Sequence, residues 1–263
     1  MKALFFLIYT FLFMTNAMGQ GEGDREWNGK RCAVVLTYDD GLNVHLDKVV
    51  PALDAKGFKA TFYIPGNSGC LYNRMEQWRA AACNGHELGN HTLFHPCIGR
   101  SLGRSWVSPD QDLDNYTVGR MVSEIGVAST LLKGVDGRDR RSFAYTCGDK
   151  TVRDTSFVPF VKDHFVGARG VVPRMETLGH IDLFDVGAYG ANGQSGKELI
   201  EWVKAARQDG RLLVFLFHGV GGEHALNVSQ GAHAELLEYL KANEDDIWVA
   251  PFAEVVVYAA QRQ

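Results

Sequence analysis

The chain has 263 residues, of which 46% are hydrophobic, with a formal net charge of −4 and five cysteines. That length and apolar content suit one large α/β domain. The mild acidity and the lack of any basic run exclude an electrostatic nucleic-acid binder, and beyond the N-terminal segment no stretch is apolar and long enough to span a bilayer.

The first residues read as an export signal. Lys2 is a short basic region, ALFFLIYTFLFM an apolar core, and the small residues Ala17 and Gly19 place cleavage after Gly19, with Ala17 as second choice. An uncleaved anchor is the alternative. The expected division is a signal peptide over 1–19 and one domain over 20–263, exported to the periplasm or outside the cell, with no stable membrane insertion after cleavage.

Strand-like and helix-like segments then alternate. CAVVLTY is a strand, VHLDKVVPALDAKG a helix ending on Gly57, KATFYI a strand and YNRMEQWRAAACNG a helix. HELGNHT is a short strand, residues 97–109 a loop carrying Trp106, and 110–133 a helix. SFAYTCG reads as a strand and turn, VRDTSFVPFVKDH as a helix, FVGARGV and LFDVGAY as strands, and GKELIEWVKAARQDG as an amphipathic helix. RLLVFLFHGV is the most apolar strand, followed by the helix AHAELLEYLKAN, the strand IWVA and a closing helix with Pro251 in its first turn. Such alternation predicts a parallel sheet, and seven or eight βα units a barrel, if an imperfect one.

Chemistry gathers at the C-terminal ends of barrel strands, and four motifs of this chain sit there: TYDDG, HTLFHP, TCG and FHG. His91 and His95 are four apart, and Pro96 disfavours a helix, so a tight turn is expected. Two imidazoles and one carboxylate make a three-ligand site for zinc or a first-row neighbour, with Asp40 as the third ligand. A cation would also relieve the repulsion between Asp39 and Asp40, leaving Asp39 free as a general base. His218, at the end of a buried strand, is the candidate general acid.

TYDDG, HTLFHP, FAYTCG and LFHG, in this order, resemble the polysaccharide deacetylase family (the NodB homology domain, carbohydrate esterase family 4), over residues 31–258. The resemblance implies a distorted (β/α) barrel and a metal-dependent hydrolase removing acetyl groups from an N-acetylated glycan, with zinc as the metal and cobalt as alternative. It implies Asp39 and His218 as catalytic base and acid, Asp40, His91 and His95 as metal ligands, and Leu216 against the acetyl methyl. The third motif departs. Where relatives commonly carry an Arg-Pro-Pro-Tyr-type turn, this chain has Ala144, Tyr145, Thr146 and Cys147. The Cys147 N–H is still expected at the oxyanion, Arg169 is the candidate replacement for orienting Asp39, and Asp182 or Asp185 could orient His218. An O-acetyl glycan esterase, a non-glycan amidase and a non-catalytic glycan-binding protein are the alternatives.

If the second and third motifs converge on one metal, Cys97 and Cys147 must approach each other, so a disulfide between them is expected. Cys70 and Cys83 are a weaker second pair. Cys32, opening an apolar strand, is expected to be a buried free thiol, and with no CxxC a thiolate zinc site is not expected.

Overall fold

The computed structural model describes residues 26–263. The segment expected to be a signal peptide, residues 1–19, lies outside the described residues. Strand β1 (Cys32–Asp39) is buried at all eight positions, as in a parallel sheet covered on both faces. A π-type turn (His45–Val49) leads into α1 (Val50–Lys56), which stops on Gly57 in the left-handed conformation. Then come β2 (Thr61–Ile64), α2 (Gly69–Asn73), α3 (Met75–Cys83), β3 (Glu87–Asn90), α4 (Val118–Asp136) and β4 (Phe143–Ala144). A small hairpin, β5 (Thr151–Val152) and β6 (Thr155–Ser156), precedes α5 (Val158–His164), β7 (Ala168–Arg169) and β8 (Tyr189–Gly190). The chain closes with α6 (Gly196–Asp209), β9 (Leu212–Phe217), β10 (Gly219–Val220), β11 (Asn227–Val228), α7 (Gln230–Ala242), β12 (Ile247–Val249) and α8 (Phe252–Ala260).

The main sheet runs β7-β4-β3-β2-β1-β9-β8, all parallel, with β12 beside the first half of β1. Its two ends meet through one segment: Val186 pairs with Arg169, while Tyr189 and Gly190 pair with Phe215 and Leu216. Very short strands and this irregular closure give the expected distorted barrel.

Side-chain alternation on β1 and β9 builds the site. Cys32, Val34, Leu36 and Tyr38, with Leu213, Phe215 and Phe217, face the helical layer of α1, α6 and α7. Ala33 and Val35, with Leu212, Val214 and Leu216, face the other way, onto Val186, Ala188 and α8. Continuing the period of two, Asp39 and His218 emerge on this second face at the strand ends.

Several expected elements differ. The helix expected over 110–133 starts only at Val118, because Asp112 caps a 3₁₀ turn and Thr117 caps the true helix. The helix expected over YNRMEQWRAAACNG breaks at Arg74, whose guanidinium reaches Asp47. LFDVGAY forms strand only at its last residue, and Pro251 lies one position before α8 as its cap. Cys70 and Cys83 are unpaired, separated by the length of α3, while Cys32 is free and buried.

Candidate metal centre and active site

Two strand-end turns set the geometry. Asp39 ends β1, and Asp40 and Gly41 turn sharply with φ of 76° and 57°. A Cβ at Gly41 would come within 2.8 Å of Ile64 Cγ2, so glycine is required there. After β3, Asn90 Oδ1 accepts from the Thr92 N–H at 2.8 Å and Thr92 Oγ1 from the His95 N–H at 2.9 Å. Thr92 and His95 have φ of 64° and 53°. HTLFHP is therefore a tight turn, and it turns both imidazoles toward Asp40.

His91 Nδ1 lies 3.0 Å from the Ala144 carbonyl. A carbonyl can only accept, so Nδ1 carries the proton and Nε2 offers its lone pair to the site. That Nε2 is 3.8 Å from Asp40 Oδ1, and His95 Nε2 is 3.5 Å from the same oxygen. The three donor atoms lie within 4.8 Å of one another. Two imidazole nitrogens and a carboxylate oxygen converging this closely fit a divalent cation of the zinc type. Burial presses the His91 pKa down to about 4, against the pull of Asp39, which keeps the ring in the neutral state a ligand needs. His95, Cys97 and Cys147 also cluster, but the two sulfurs are bonded to each other, so this group offers no thiolate.

Asp39 is 3% exposed, and its Oδ2 accepts from Arg169 Nη2, itself fully buried. Arg169 Nη1 donates to the Gly170 carbonyl at 2.9 Å, which fixes the guanidinium. Burial alone would raise the Asp39 carboxyl, but Arg169, His91 and His218 outweigh it and hold the pKa below its ordinary value. Asp39 Oδ1 is buried without a hydrogen-bond partner, while Oδ2 lies 3.8 Å from His91 Nε2. His218 Nε2 is 3.9 Å from Asp40 Oδ2, and burial lowers its pKa against the opposing pull of Asp39 and Asp40. The His218 backbone is fixed by His45, whose Nε2 reaches the His218 carbonyl at 2.8 Å.

These side chains open into a cleft of about 430 Å³, also lined by Trp106, Cys147 and Leu216. Trp106 is 62% exposed at its rim. The Cys97–Cys147 disulfide joins the His95 turn to the turn after β4, with Cα atoms 5.8 Å apart. Arg104 adds a clamp, donating to the Cys147 carbonyl at 2.8 Å and to Asp149 at 2.5 Å. Neither Asp182 nor Asp185 orients His218. Asp182 accepts from the Phe184 N–H, Asp185 pairs with Lys150, and His218 Nδ1 stays buried without a partner. One site residue is not identified from the sequence. His224 stacks on His218 with centroids 4.6 Å apart, and its Nε2 is 3.7 Å from Asp40 Oδ2. A histidine in the glycine-rich run GVGGEHALN, just past a barrel strand, was the available signal.

The polysaccharide deacetylase family model matches residues 27–157. Among curated relatives, a gellan lyase of Bacillus sp. is 23% identical over 92% of this chain, and the match covers 10% of that protein. A chitooligosaccharide deacetylase of Bradyrhizobium sp. is 36% identical over 26% of this chain and 31% of its own length. The chain thus spans a minor part of these relatives. Among solved structures, a probable polysaccharide deacetylase of Pseudomonas aeruginosa shares the fold with a TM-score of 0.63, at 11% identity over 94% of this chain and 97% of that one. The peptidoglycan deacetylase PdaC of Bacillus subtilis gives 0.51 at 15% identity, covering 88% and 92%.

Proposed function

The chain belongs to the polysaccharide deacetylase family, and we propose that it is an exported, metal-dependent hydrolase that removes acetyl groups from an N-acetylated amino-sugar glycan. The observation that supports this most is the convergence of Asp39, Asp40, His91, His95 and His218, from three separate strand ends, on one cleft. Asp40, His91 and His95 would hold the cation, zinc or else cobalt, which when bound would polarise the acetyl carbonyl and lower the pKa of a water.

The chain's own groups then divide the work. Asp39, kept ionised by Arg169, takes the proton from the attacking water. Leu216, at the cleft wall, receives the acetyl methyl. The Cys147 N–H donates to the oxygen that becomes negative, a role that needs backbone alone. The carbon–nitrogen bond breaks as His218 gives a proton to the departing nitrogen, because an amine cannot leave as an anion. Acetate and a free amino sugar result. Arg169 compensates for Ala144 in the altered third motif, since it reaches Asp39 from the neighbouring strand.

The test is acetate release from peptidoglycan, chitin oligosaccharides and acetylated xylan, with and without a chelator. Release from the N-acetylated polymers, abolished by chelation, is expected. Release from xylan alone would make the protein an O-acetyl esterase. Binding without release from any substrate would make it a non-catalytic glycan-binding protein.

A further inference from the structure

Asp40 has two oxygens, and the structure gives them different neighbours. Oδ1 faces His91 and His95, the other two ligands of the proposed metal centre. Oδ2 faces away from them, toward His218 and His224. Nothing in the family motifs accounts for His224, yet its ring is held firmly. The Leu226 N–H donates to His224 Nδ1 at 3.0 Å, and the ring lies parallel to His218 at an interplanar angle of 11°. The loop beneath it is tied to the start of the first helix: the Glu223 carboxylate accepts from Asn43 Nδ2 and from the Val44 N–H, each at 2.6 Å. Glu223 itself has a φ of 69°, a conformation few non-glycine residues adopt without compensation.

His224 Nδ1 has two backbone neighbours, the Leu226 N–H at 3.0 Å, which needs a lone pair, and the Leu226 carbonyl at 3.3 Å, which would need a proton. The shorter amide contact favours an accepting Nδ1, which puts the proton of a neutral ring on Nε2, the atom aimed at Asp40 Oδ2. A nitrogen bearing a proton cannot bind a metal. We propose that His224 is a positioning residue for the metal centre: its Nε2–H engages Asp40 Oδ2 and holds the carboxylate so that only Oδ1 is offered to the cation. At 3.7 Å the pair is a small side-chain rotation from hydrogen-bonding distance. Partners of this kind fix the orientation of ligating carboxylates and typically change metal affinity about 10- to 100-fold. The assignment rests on the metal-centre reading above.

The experiment is competition of the full protein with a chromophoric chelator for zinc, in wild type, His224→Ala and His224→Gln, with visible spectra of the cobalt-loaded forms. His224→Ala should lower zinc affinity about 10- to 100-fold while the cobalt bands keep the wild-type coordination number. His224→Gln, which restores an N–H donor, should recover most of the affinity. Unchanged affinity in His224→Ala overturns the assignment, as does a cobalt spectrum showing one ligand fewer, which would make His224 a ligand. Wild-type protein that takes up no zinc would overturn the metal-centre reading, and this inference with it.

Discussion

Removing the Cys97–Cys147 bond should destabilise the protein strongly while leaving the site assembled. The bond closes a loop of 50 residues. Loop-closure entropy in the unfolded chain then corresponds to about 4 kcal/mol at 25 °C. On the folded side the two turns are also joined without it. Thr146 Oγ1 donates to the Pro96 carbonyl at 2.5 Å, and the Ile98 N–H to Asp149 Oδ2 at 2.8 Å. The loss therefore falls mainly on the unfolded chain. Cys97→Ala/Cys147→Ala should unfold in denaturant with roughly 4 kcal/mol less stability, and melt on the order of 10 °C lower. Reduced wild type should match it, and the reductant should not shift the double variant further. Acetate release at 25 °C should persist. A loss below about 1 kcal/mol, far under the chain-entropy expectation, would refute the reasoning, as would loss of activity with the fold intact.

Arg169→Met should strip Asp39 of its buried partner. Burial then raises the carboxyl, so the acidic limb of the rate–pH profile should move to higher pH, and stability should fall by about 3–5 kcal/mol. Adding Asp39→Asn should recover much of that stability; an unmoved acidic limb would contradict the pairing. His218→Ala should slow amide cleavage far more than cleavage of a nitrophenyl acetate, whose leaving group departs without a proton; equal losses would make His218 a substrate-positioning group instead. His233, buried against the Tyr38 hydroxyl, is depressed by burial from 6.5 to about 4. The unfolded chain therefore binds more protons between those values. The stability His233 confers is fully present above pH 6.5 and lost as pH falls toward 4, by roughly 3 kcal/mol at about 1.4 kcal/mol per pKa unit. Denaturant titrations across that window should show a shallower pH slope for His233→Gln; an unchanged slope would refute the assignment.

How much of this was legible depended on whether a residue's role was local. The continuous apolar runs of β1 and β9 read directly as buried strands, and they put Asp39 and His218 at strand mouths. The histidine turn is equally local, since Pro96 and the side chains of Asn90 and Thr92 shape it. Helix starts were less legible: Pro109 and Asp112 favour short turns that hydrophobic spacing alone does not register. The least legible features depend on which partner a side chain finds across the fold. Asp182 and Asp185 look suited to orient a histidine but serve a local turn and Lys150. His224 looks like an ordinary loop residue until Glu223 is seen anchoring its loop at the start of the first helix.

The central claim is that the two adjacent acids have different tasks, Asp40 for the cation and Asp39 for the proton. Metal content and acetate release should be measured together in Asp39→Asn and Asp40→Asn after identical zinc reconstitution. The account predicts that Asp39→Asn keeps its zinc and loses about 10²- to 10⁴-fold in rate, while Asp40→Asn loses the zinc itself. Zinc retained by Asp40→Asn and lost by Asp39→Asn would contradict it.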